Sequence, residues 1–187
     1  MNGQPTNHQQ LLRPQDWEHR VEILQAWRLW SRFEHGNPTR SGAQFCGDFG
    51  PSTYRAVFDG CASTVRAIMM VYRANVNFTD FDSPHENEFE QRKAEFCRDP
   101  RLGPLARELR ENLFEVLYLA NRAVAHAHEA RGLDHRVDAS VMTGAITALL
   151  NWLQLPEQRR GQPGLDSVFA AHPGYFAAIS EGNHPAP

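Results

Sequence analysis

Lysine is almost missing from this chain, and cysteine is scarce. Of 19 basic residues 18 are Arg, with Lys93 the single exception. The planar guanidinium fork suits phosphate and carboxylate recognition, although a bias of base composition is the plainer account of the skew. The three cysteines, Cys46, Cys61 and Cys97, are odd in number and show no CxxC spacing. That excludes a disulfide framework or a zinc knuckle and makes a reducing cytoplasm the expected compartment. No apolar run approaches the roughly 20 residues that a bilayer-spanning helix needs. The polar start, Met1 to Arg13, has no apolar core of the signal-peptide kind. A soluble chain with no membrane partner is expected. A net charge of −3 excludes a basic field over the whole protein, so binding of nucleic acid would need a local patch or a cleft between two subunits. No GK[ST] follows the glycines of residues 35–51, and HExxH is absent. ExxH pairs of the di-iron kind are missing too, since Ala123 and Ala125 stand three residues before His126 and His128. Glu115, His126, His128 and His135 supply ligand types without ligand spacing, so neither a metal nor a cofactor is expected.

What the chain does contain is helical rhythm. Trp17, Val21, Leu24, Trp27 and Trp30 follow at spacings of 4, 3, 3 and 3, one apolar face of a helix from Pro14 to about Phe33. Three of the four Trp lie there; a base-stacking platform is one reading, and a core-filling face is the favoured one. Residues 35–51 hold four Gly and two Pro and read as a loop. A second helix is expected from Ser52 to Asn75, with Val57, Cys61, Val65, Ile68 and Tyr72 buried and Gly60 allowing another backbone to approach. Ser83-Pro84-His85-Glu86 is a capping box that opens a short charged helix to about Arg98. A long helix is expected from Pro104 to Arg131, stopped by Gly132, its inner stripe shrinking from Leu105, Leu109 and Leu113 to Ala120, Ala123 and Ala127. Asp138 caps a last main helix that runs to Gln154. The expected fold is all-α: a bundle of four main helices plus a short charged helix and an irregular C-terminal tail. Residues 1–13 read as a disordered N-terminus, 14–155 as the bundle, and 156–187 as a Pro/Gly-rich tail with a short docking segment.

Chemistry concentrates in Asn121-Arg122-Ala123-Val124-Ala125-His126-Ala127-His128. Polar groups this close to a core-facing stripe must be solvated, paired or used. Arg122, His126 and Glu129 stack on one helical face at spacings of 4 and 3, while Asn121 and His128, seven apart, stack on the next. An Arg can hold phosphoryl oxygens bidentately. An imidazole with a pKa near its ordinary value of about 6.5 can move the proton of a ribose 2′-hydroxyl or of the leaving oxygen. Asn121 could orient either the phosphate or the imidazole.

The string NRAVAH, late in a long helix and followed by a turn and a last helix, resembles the HEPN superfamily of all-helical defence and toxin–antitoxin proteins. The resemblance covers mainly residues 104–154. It implies a homodimer, a cognate antitoxin, RNA as the target, and metal-independent endoribonuclease chemistry on an Arg–polar–His motif. Here the motif is degenerate. With Asn121 and His126 in register, Ala120 stands where the Arg belongs; with Arg122 and His128 in register, Ala123 stands at the polar position. The candidate catalytic residues are Arg122, His126, His128 and Asn121. A non-catalytic dimerisation or interaction module, a regulator or immunity-type protein, is the alternative.

Overall fold

The Trp-rich rhythm of the N-terminal segment winds Pro14–Gly36 into helix α1, with Trp17, Val21, Leu24 and Trp27 all fully buried. The computed structural model describes residues 11–36, 42–74, 86–121 and 139–176. Among the described residues there are seven α-helices and no strand, so the fold is all-α. Trp27 meets Phe58 edge-on at 5.6 Å, and its indole N–H donates to Thr143 Oγ1 at 3.1 Å. Trp17 and Trp27 are therefore core residues, which removes both from any base-stacking surface. The Trp30 side chain lies outside the described residues.

Helix α2 runs Gly42–Val71 and starts ten residues earlier than expected. Residues 42–51 are helical, not loop, with Pro51 inside the helix. The local cost of Gly and Pro, about 1 and 3 kcal/mol, is outweighed where a helix is anchored by a long buried stripe. Phe58, Cys61, Val65, Ile68 and Met69 form that stripe. Cys61 Sγ donates to Ile23 O at 3.5 Å, and burial pushes its thiol pKa up to about 12, so it packs as a hydrophobe. Gly60 admits no neighbouring backbone: a Cβ there would meet nothing within 4 Å. The helix stops at Val71 because Arg73 turns left-handed (φ 54°). Ala74 N then donates to Met69 O and Arg73 N to Met70 O, the paired bonds of a Schellman cap. Arg101 Nη1 covers the freed carbonyl of Arg73 at 3.0 Å.

The short charged helix α3, Glu86–Cys97, is anchored by Phe89 and Phe96, which both meet Phe114, at 5.3 and 5.7 Å. The capping-box residues 83–85 lie outside the described residues. A 3-10 turn at Pro100–Leu102 leads into α4, Arg107–Leu119, which begins three residues later than expected. Leu105 is drawn into the core instead of the helix, its N–H bonded to Leu102 O, and Ala106 serves as N-cap. Helix α5, Ala139–Leu153, is the most enclosed element: Met142, Ala145, Ile146, Ala148, Leu149, Leu150, Trp152 and Leu153 are all buried. A helix apolar on every side belongs at the centre of its domain. α4 and α5 approach so closely at Gly144 that an added Cβ would run into the Asn112 side chain.

Two further helices follow, α6 (Pro156–Gly161) and α7 (Pro163–Ala171), each with Pro in its first turn. Leu165, Val168 and Phe176 join the same core. Gln162, between α6 and α7, is fully buried; its Oε1 accepts from Leu12 N at 3.2 Å and from Trp17 Nε1 at 3.3 Å. Through it the C-terminal helices grip the start of α1.

Candidate functional site

Side chains on the inner face of α4 shorten from Leu113, Val116 and Leu117 to Ala120, all buried, and Asn121 follows them in π-helical geometry. π turns recur at functional sites because the widened turn presents groups that an α-helix would tuck away. Asn121 is 9% exposed. Its Nδ2 donates to Leu117 O at 2.8 Å, a carbonyl that also accepts from Ala120 N. Its Oδ1 accepts from Arg66 Nε, also at 2.8 Å. Both ends of the carboxamide are thus committed, one to its own helix and one to α2.

Arg66, the partner of Asn121, is a candidate site residue that the sequence did not single out. It lies four residues after Ala62 and three before Met69, both fully buried, and so stands on the apolar side of α2. The signal was a lone cation inside an apolar stripe. Four of its five N–H donors remain after Nε is spent on Asn121. Among the described residues no carboxylate pairs with it. Lys93 and Arg159 differ: Lys93 Nζ sits 2.7 Å from Glu115, and Arg159 Nη1 sits 3.1 Å from Asp166.

Of the four candidate residues, Asn121 alone is described; Arg122, His126 and His128 lie outside the described residues, as does His135. Glu115, the carboxylate of the ligand types noted above, is held by Lys93. Burial pulls the Lys93 ammonium down, but the hydrogen bond and charge of Glu115 outweigh it, leaving the pKa above its ordinary value. Among the described residues no three His, Cys, Asp or Glu side chains gather in one place. A cleft of about 610 Å³ opens between α3 and α4, toward the opposite end of α4 from Asn121. Of its four cations, Lys93 is taken by Glu115, Arg107 by Glu111 at 2.7 Å, and Arg110 through Nη1 by the Cys97 carbonyl at 2.6 Å; the fourth is the exposed Arg98. The half-buried Cys97 thiol has its pKa raised by burial and by Glu111, which is the wrong direction for a nucleophile.

Comparison with protein-family models, curated proteins and solved structures finds no match to this chain. No helix among the described residues is long and apolar enough to cross a membrane. What the end of α4 can do is therefore read from its own chemistry: a guanidinium with no carboxylate partner among the described residues, anchored by a buried amide.

Proposed function

We propose that the chain is a HEPN-like RNA-binding protein whose site lies at the C-terminal end of α4, with metal-independent endoribonucleolytic cleavage as the activity its residues can carry. One observation supports the reading above the others: Arg66 reaches Asn121 Oδ1 and keeps its terminal nitrogens free of any carboxylate among the described residues. The next residues in the chain are Arg122, His126 and His128, the types that phosphodiester chemistry uses. In that chemistry one imidazole takes the proton of a ribose 2′-hydroxyl as its oxygen attacks phosphorus. The bond to the 5′-oxygen breaks, and a second proton donor supplies the leaving oxygen. The products are a 2′,3′-cyclic phosphate and a 5′-hydroxyl. Guanidinium groups stabilise the charge gathering on the phosphoryl oxygens.

The interaction-module reading has fewer surfaces to use. Trp17, Trp27, Leu165, Val168 and Phe176 are spent in the chain's own core, and the only exposed large hydrophobics among the described residues are Leu11 and Met70. A homodimer or a cognate antitoxin would have to engage other faces. The test is cleavage of total RNA in EDTA, run beside His126→Ala/His128→Ala. Wild-type cleavage lost in the double variant, with 2′,3′-cyclic phosphate ends, is the expected result. Equal cleavage by both proteins, or binding of no RNA by either, overturns the reading.

A further inference from the structure

A cation on the apolar side of a helix, with no acid to neutralise it, is costly to keep unless it meets an anion from outside. Among the described residues Arg66 is such a cation, and its surroundings there fix which of its atoms are available. Nε is held by Asn121 Oδ1 at 2.8 Å, and Asn121 is itself fixed by the bond from Nδ2 to Leu117 O. A guanidinium pinned at Nε keeps its plane and offers the two terminal nitrogens as a fork, the geometry that binds two oxygens of one phosphate. Two other partly buried cations, Lys93 and Arg159, have a carboxylate partner, whereas Arg110 meets the Cys97 carbonyl.

We propose that Arg66 is a phosphate-binding residue, its terminal nitrogens taking the oxygens of one phosphoryl group, and that Asn121 is the positioning residue that aims it. The phosphate's identity as part of an RNA backbone rests on the function proposed above; the oxyanion site itself does not. Asn121 thereby changes role: its amide is consumed in holding Arg66 and is not left to touch substrate.

The test uses the full-length protein with two probes, inorganic phosphate and a short single-stranded RNA, across wild type, Arg66→Ala, Arg66→Lys, Asn121→Ala and the double Arg66→Ala/Asn121→Ala. Far-UV circular dichroism checks that each variant folds, with Arg66→Lys keeping the charge should the alanine variant fail. Phosphate is expected to raise the wild-type melting temperature and to compete with RNA, and to do neither in Arg66→Ala. RNA affinity should fall about tenfold in that variant, and the slope of log affinity against log salt should drop by about one, the signature of a lost phosphate contact. Arg66→Lys should recover only part of the affinity, because an ammonium cannot bind two oxygens as a fork. Asn121→Ala should weaken phosphate binding in wild type and add nothing once Arg66 is gone, a non-additivity that a purely structural role would not produce. Unchanged RNA affinity and salt slope in folded Arg66→Ala would overturn the assignment and leave RNA binding standing. A phosphate response that depends on Arg66, without RNA binding, would keep the site and remove RNA as its ligand. A wild type that responds to neither probe overturns both.

Discussion

Replacing Gln162 by Leu keeps most of the side-chain volume and deletes the carboxamide, whose oxygen is the acceptor for two donors. Trp17 is fully buried, so its indole N–H, 3.3 Å from Gln162 Oε1, has no water to turn to. An orphaned buried donor costs about 1–3 kcal/mol, more than the net worth of the bond it loses. Leu12 N, bonded to the same oxygen at 3.2 Å, is only partly buried and recovers much of its loss by hydration. The sum is roughly 2–3 kcal/mol, which in a chain of this size lowers the melting temperature by about 4–12 °C. Urea denaturation followed by far-UV circular dichroism measures the free energy directly. Trp17→Phe is the control, because it removes the donor that Gln162 serves. The double variant Trp17→Phe/Gln162→Leu should be more stable than the two single costs predict, by about 1–2 kcal/mol. Additive costs, agreeing within about 0.5 kcal/mol, would refute the claim that this bond ties the C-terminal helices to α1.

Two glycines should respond in opposite ways to the same change. Gly60→Ala, in open space within α2, should stabilise by about 0.5–1 kcal/mol through helix propensity alone. Gly164→Ala should destabilise by at least about 1–3 kcal/mol, because the new Cβ would press on Leu12 O and lie 2.9 Å from the Arg13 carbonyl carbon, backbone atoms that cannot swing aside; equal melting temperatures for the two variants would contradict both assignments. Asp99 gives a pH dependence. Hydrogen bonds from the Arg101 side chain and backbone hold its carboxyl below the ordinary 3.8, against the opposing pull of burial. Its contribution is therefore complete above pH 3.8 and lost as pH falls through the lowered value. With Arg101 half exposed, that contribution is no more than about 1 kcal/mol. The stability gap between wild type and Asp99→Asn should close below pH 3.8; a gap that does not change with pH would rule the ion pair out as its source.

Elements whose information is local were legible in the sequence. α1 announces itself by a period of three to four carried on large side chains, and α5 by a long apolar run that stops before Pro156. Where several neighbours jointly set the outcome, local rules misled. Residues 42–51 carry turn formers yet extend a helix anchored twenty residues downstream. Pro104 and Leu105 have helix-start chemistry, but burying Leu105 in the turn moved the start to Arg107. Gly60 looked like a packing contact, while Gly144 and Gly164 are the glycines at close approaches, and only the fold tells them apart. At the site, the sequence singled out Asn121, but not Arg66, which stands 55 positions away in the chain. A hydrogen bond between helices leaves no trace in the periodicity of either one. What was visible was a single violation, a charge between Ala62 and Met69, and such violations of a local rule are where function is to be sought.

If Arg66 and Asn121 were there for stability alone, the pair would be a poor choice. A half-buried guanidinium on a neutral amide gains less than an ion pair, and apolar residues of similar shape would pack there at no desolvation cost. That difference can be measured. Asn121→Leu alone should cost about 1–3 kcal/mol, since it strips the guanidinium of the one acceptor it has among the described residues. Arg66→Met alone should cost about 1 kcal/mol by orphaning Asn121 Oδ1, which sits 9% exposed. The double change Arg66→Met/Asn121→Leu removes both polar partners together, and Leu117 O still accepts from Ala120 N. It should therefore match or exceed wild-type stability, within about 1 kcal/mol, while losing every response to phosphate. That combination, a pair whose joint removal is free for folding and fatal for binding, is what a ligand site retained at the expense of stability looks like. A double variant less stable than either single one would instead mark the pair as a structural clamp between α2 and α4.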